Sequence, residues 1–107
     1  MSVEEILAAS GEADDVLRAV VSELVEGEGC AWAGIWFTED GELELGPEAG
    51  VADESRRVRV PIEFRGERVG ELGLDGAPEP ELAERVAALL PPYVLLGWDT
   101  GGDAWIP

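Results

Sequence analysis

The chain has 107 residues, 46% of them hydrophobic, and a formal charge of −17 from 24 acidic residues against 7 arginines, with neither lysine nor histidine. That length suits a single domain, residues 1–107, built on one core, and the hydrophobic share is too high for a disordered chain. Nucleic acid and membranes are not expected as partners, since such binding runs on clustered Lys and Arg; without histidine no Ser-His nucleophile can be assembled, and a zinc site is nearly excluded.

Ser2 followed by Glu5 has capping-box chemistry and predicts a short helix to Ala9, stopped near Ser10 and Gly11. A second helix is predicted over about 13–25. Val16, Leu17, Val20, Val21, Leu24 and Val25 recur there at helical spacing, and Asp14 and Asp15 complement the dipole of its first turn. Residues 30–38 read as a strand, Asp40-Gly41 as a hairpin turn, and 42–46 as the returning strand, with Leu43 and Leu45 inward and Glu42 and Glu44 outward. Residues 47–55 are expected to form a loop.

Over 56–64, Val58, Val60, Ile62 and Phe64 alternate with Arg57, Arg59, Pro61 and Glu63. Arg65-Gly66 closes a second hairpin, and 67–75 sets Gly70, Leu72 and Leu74 against Val69, Glu71, Gly73 and Asp75. A closing helix after Pro78 carries Leu82, Val86, Leu89 and Leu90 and must kink or break at Pro91-Pro92. The fold class is therefore α+β: an antiparallel sheet of about four strands with the N-terminal and C-terminal helices packed on one face.

Residues 31–41, AWAGIWFTEDG, are the most informative stretch. Trp32 and Trp36 share one face of their strand with only Gly34 between them, while Ala31, Ala33, Ile35 and Phe37 make an ordinary core face. A strand apolar on both sides must be covered twice. The lone Cys30 allows no internal disulfide, and with no secretory leader read at the N-terminus a cytoplasmic location is expected. Acidic neighbours and the lack of histidine or lysine leave that thiol without activation. The run 86–98 is too short to span a bilayer and holds two prolines.

"AWAGIWFTEDGELELGP", then "VRVPIEFRGERVGELGLDG", then "ELAERVAALLPPYVLLG" resemble a GAF domain over about 13–97, followed by an aromatic tail, 98–107. The resemblance implies a sensory or regulatory module that binds a small molecule on one side of the sheet or dimerises through its terminal helices. The first hairpin is similar to that of the free methionine-(R)-sulfoxide reductases, which places Trp32 and Trp36 at pocket-lining positions and Asp75 at the second acid of a D-x-D motif. Gly73 stands where the first acid would be, an arginine, Arg57, where another acid would precede "VPI", and the cysteine-bearing stretch after "GP" is gone. An enzyme is therefore not expected. The nine residues 47–55 reach roughly 30 Å at most, too few to build the roof that GAF domains place over their ligand, so an open pocket face is expected.

The candidate ligand-binding residues are Trp32, Trp36, Arg57, Arg59, Glu71 and Asp75: two indoles, two guanidiniums and two carboxylates on one face. The other reading is that the protein itself or a second copy covers the indoles and the charges pair across strands. Tyr93, Leu96, Trp98, Trp105 and Ile106 are the interface candidates. No metal and no cofactor are expected. The expected function is a non-catalytic regulatory or interaction module acting as a homodimer; the alternatives are a metabolite sensor using Trp32 and Trp36, and, remotely, a degenerate methionine sulfoxide reductase. The acidity is either a solubilising shell or a dock for a basic partner.

Overall fold

The computed structural model describes residues 3–8, 12–39 and 41–94. In chain order the elements are α1 (Val3–Ala8), α2 (Ala13–Glu26), β1 (Trp32–Glu39), β2 (Glu42–Gly50), a 3₁₀ turn (Glu54–Arg56), β3 (Arg57–Phe64), β4 (Glu67–Asp75) and α3 (Leu82–Ala87). Residues 91–94 are helical again after a break at 88–90, where the paired prolines cannot continue the ladder. The strands form one antiparallel sheet in the order β2-β1-β4-β3. This is the α+β arrangement that the alternation of apolar residues predicts. The Ser2 cap lies outside the described residues.

The apolar stripe of α2 (Leu17, Val20, Val21 and Leu24) packs over β1 and β2, and α3 over β3 and β4; with Ala33, Ile35, Ile62, Leu72, Leu74, Leu82, Val86, Leu90 and Val94 they form one core. Each large aliphatic side chain buried here contributes roughly 2 kcal/mol. Tyr93 is half-buried against this core, and its hydroxyl donates to the Leu7 carbonyl at 3.0 Å, tying the helix at 91–94 to α1. Among the described residues no helix is long and apolar enough to cross a membrane.

Two bulges correct the expected faces. Gly34 faces Glu48 but Trp36 faces Leu45, so two residues, Gly46 and Pro47, stand opposite Ile35. Proline fits there because a bulge needs no N–H from it. The slip inverts the alternation of β2: Leu43 and Leu45 lie on the tryptophan face rather than inward, and Leu45 is 45% exposed. The strand also runs on to Gly50, so the first four of the nine residues expected as loop are sheet, and only residues 51–56 cross between the hairpins. A second slip, between Ile62–Gly70 and Glu63–Arg68, makes Val69 the extra residue of β4. Val69 accordingly packs against the core rather than joining Glu71 on the opposite face.

Candidate functional site

The register places the candidate residues in rows across the sheet. Arg57, Asp75, Trp32 and Gly50 form one row; Pro61, Glu71, Trp36 and Leu45 form another; Arg59, Gly73, Gly34 and Glu48 lie between them. All six predicted ligand-binding residues therefore share one face, opposite the helices.

Glycines seat the indoles. A Cβ at Gly34 would run into the benzo ring of Trp32, and one at Gly73 would stand 2.6 Å from the Trp36 ring. The two indoles lie side by side, centroids 5.7 Å apart and planes at 58°. Above them are the arginines. Arg57 Cζ is 4.2 Å from the Trp32 centroid and 5.7 Å from that of Trp36, and Arg59 Cζ is 4.3 Å from that of Trp36. At these distances each guanidinium is attracted to the negative face of the indole.

Carboxylates hold the arginines in place. Arg57 donates through Nε to Asp75 Oδ1 at 2.8 Å and through Nη2 to Oδ2 at 3.0 Å, a two-pronged bond that fixes its plane. The Asp53 backbone N–H donates to the same Oδ2 at 2.6 Å. Asp75 is fully buried. Burial alone would raise its pKa, but the Arg57 bonds, the Asp53 N–H and the Arg57 charge outweigh it and hold the carboxyl below the usual carboxylate range. The bond to Asp75 pushes Arg57 the opposite way, upward, against the opposing effect of its own burial. Glu71 accepts from Arg59 Nε at 2.7 Å on one oxygen and from Arg68 Nη1 at 2.8 Å on the other. Trp32 Nε1 donates to Glu48 at 3.0 Å.

The crossing segment covers more of this face than its length suggests. Val51 N–H donates to the Ala31 carbonyl at 2.9 Å, which brings Asp53 onto Asp75. Trp32 is only 2% exposed, so the expected open face is corrected at this end. Trp36 is half-buried. Sequence reasoning missed Glu48, Asp53 and Arg68. Glu48 reaches the site because β2 runs on past 46 to Gly50, Asp53 through the crossing segment, and Arg68 through the bulge at Val69. Of the interface candidates, Tyr93 lies against the core as described; Leu96, Trp98, Trp105 and Ile106 lie outside the described residues.

Every carboxylate of the indole face named here is engaged by a cation or an N–H, which leaves none poised as a general base. Cys30 is buried in the helix-side core, and burial first, then the Glu28 and Asp75 charges, push its thiol pKa up. It is therefore a poor nucleophile. Among the described residues no group of three or more Cys, Asp or Glu is placed to hold a metal ion. Five of the seven arginines fall at positions 56–68, so the strongly acidic chain concentrates its cations on the β3–β4 hairpin and the turn before it.

This arrangement of sheet, helices and crossing segment is that of a GAF-like domain. The chain is similar in structure to a type II free methionine-R-sulfoxide reductase from Thermoplasma acidophilum, with a TM-score of 0.63 at 18% identity, covering 87% of this chain and 95% of that one. It is also similar to the GAF domain from Acinetobacter phosphoenolpyruvate-protein phosphotransferase, with a TM-score of 0.67 at 14% identity, covering 94% and 90%. No family model and no curated protein matches the sequence.

Proposed function

We propose that the chain is a non-catalytic GAF-like regulatory or interaction module that acts as a homodimer. The observation that carries this reading is the self-filled indole face. Arg57 and Arg59 take the stacking positions over Trp32 and Trp36 that a bound molecule would use, and Asp75 and Glu71 hold them there. The protonated, buried Cys30 adds no redox partner, because a dithiol cycle needs a second cysteine and the chain has one. A second copy would cover the apolar surface left on this face, where Leu45 is 45% exposed beside Trp36. Sedimentation equilibrium over about 1–100 µM tests the dimer, since self-association must follow mass action. A strict monomer across that range would remove it.

A second reading, a metabolite sensor, is favoured by one end of the same face. Arg59 is 44% exposed, and Thr38 Oγ1 is buried without a hydrogen-bond partner among the described residues. A planar metabolite could stack on Trp36 in place of the Arg59 guanidinium, whose N–H donors would then meet an anionic group of that metabolite. Indole fluorescence during a metabolite screen reports this directly, and unchanged emission throughout would count against it. Turnover of methionine sulfoxide that is lost in Cys30→Ser would contradict both readings and make the chain an enzyme.

A further inference from the structure

The helix side of the sheet holds a second concavity. A half-open cleft of ≈ 360 Å³ lies where β3 begins, β4 ends and α3 starts. Val58, Ala77, Pro80 and Ala83 give it an apolar wall, and Arg56 and Glu79 supply opposite charges. Val58 is 44% exposed, so its side chain offers apolar surface to anything seated in the cleft. Its volume is at the lower end of small-molecule sites, which start at about 300 Å³.

Arg56 is held at one nitrogen only. Its Nε donates to Asp53 Oδ2 at 2.7 Å, and the side chain is 59% exposed. Nη1 and Nη2 lie across Gly76, 3.0 Å and 3.1 Å from where a Cβ would stand, and neither is bonded to a described residue. Two parallel N–H donors of one guanidinium match a carboxylate. Glu79 is 65% exposed, and its nearest cation, Arg85, is 3.9 Å away, which leaves it able to accept from an ammonium group. A bare anion would have to approach a chain of net charge −17, and a bare cation would make no use of Arg56. A zwitterion has neither cost.

We propose that this cleft binds a small zwitterion with an aliphatic body, of the aliphatic α-amino acid class. Its carboxylate bonds to Nη1 and Nη2 of Arg56, its ammonium to Glu79, and its side chain lies against Val58, Ala77, Pro80 and Ala83. The site is separate from the indole face and does not depend on the function proposed above.

The test is a titration of the full chain with L-leucine, followed by backbone amide NMR. Shifts should concentrate at residues 56–58 and 76–83 and saturate with a dissociation constant of about 1 mM or tighter. Isovalerate, which keeps the carboxylate and body, and isopentylamine, which keeps the ammonium and body, should each bind about tenfold more weakly, as expected for one lost charge-assisted contact. Arg56→Gln should abolish saturation. Val58→Glu should do the same from a half-exposed position that the fold tolerates, by repelling the carboxylate. Absence of leucine-induced shifts, shifts confined to the indole face, or isovalerate binding as tightly as leucine would each overturn the proposal.

Discussion

The indole face carries one motif twice: arginine on tryptophan, pinned by a carboxylate. At the Trp32 end the parts are sealed, with Arg57 16% exposed and Asp75 fully buried. At the Trp36 end Arg59 is 44% exposed, Arg68 54% and Glu71 12%. The same three groups therefore work in two dielectric settings. A buried pair is costly to break because the survivor is left charged and unsolvated, whereas an exposed pair is screened by water and contributes little. The Trp32 stack holds the crossing segment to the sheet, and the Trp36 stack is the end able to exchange its arginine for something else.

Asp75→Ala is the largest lever on that comparison. It strands the Arg57 guanidinium and orphans the Asp53 N–H in one step. Loss of one partner of a buried pair costs about 3–5 kcal/mol. The urea midpoint should fall accordingly, with Trp32 emission moving toward that of a solvated indole. A loss below about 1 kcal/mol would put both stacks on the same footing and break the distinction. The same carboxyl shapes the acid limb of stability. Its folded pKa lies below the unfolded value of about 3.9, so its contribution is complete above that value and is lost as pH falls through the folded pKa. Acidification from neutral pH first relieves repulsion within a chain of net charge −17 and then removes the Asp75 term. Urea midpoints across pH should pass through a maximum in wild type, and the acid side of that maximum should flatten in Asp75→Asn.

The glycine seats sharpen the comparison. Gly34→Ala sets a methyl against the Trp32 ring, which Arg57 covers and Glu48 anchors, so the ring cannot lift freely. Overpacking of this kind costs about 1–3 kcal/mol. Gly73→Ala presses mainly on Trp36, whose ring is only half-buried and has room to tilt. Paired thermal melts should show the larger loss for Gly34→Ala, and equal losses would mean that both indoles are equally confined.

Much of this face was legible beforehand for a physical reason. Strand periodicity puts every second side chain on one side, so Trp32, Trp36, Arg57, Arg59, Glu71 and Asp75 had to share a face once the strands were placed. The helices were legible from their apolar spacing. Bulges were not, because the one-residue slips at Gly46-Pro47 and at Val69 depend on which strands meet, which no local pattern records. They turned Leu43 and Leu45 outward and brought in Arg68, whereas Glu48 came in because β2 runs past the expected loop boundary to Gly50. The closure at the Trp32 end was missed for a related reason: a short crossing segment was judged by its reach, whereas the Asp53 N–H bond to Asp75 makes it a cover.

Glu71→Gln has the smallest expected effect on stability and the sharpest reading. It removes the charge that Arg59 and Arg68 share, but both arginines already face water and can solvate their guanidiniums. A loss of no more than about 1 kcal/mol is expected. Freed of its anchor, Arg59 should leave the Trp36 ring part of the time, so the indole emission should change and its quenching by acrylamide should rise while the urea midpoint barely moves. Asp75→Ala should couple the two readouts, and Glu71→Gln should separate them. If Glu71→Gln instead unfolded the chain as readily, the Trp36 stack would be a structural element like its neighbour, and the case for an exchangeable position on this face would fail.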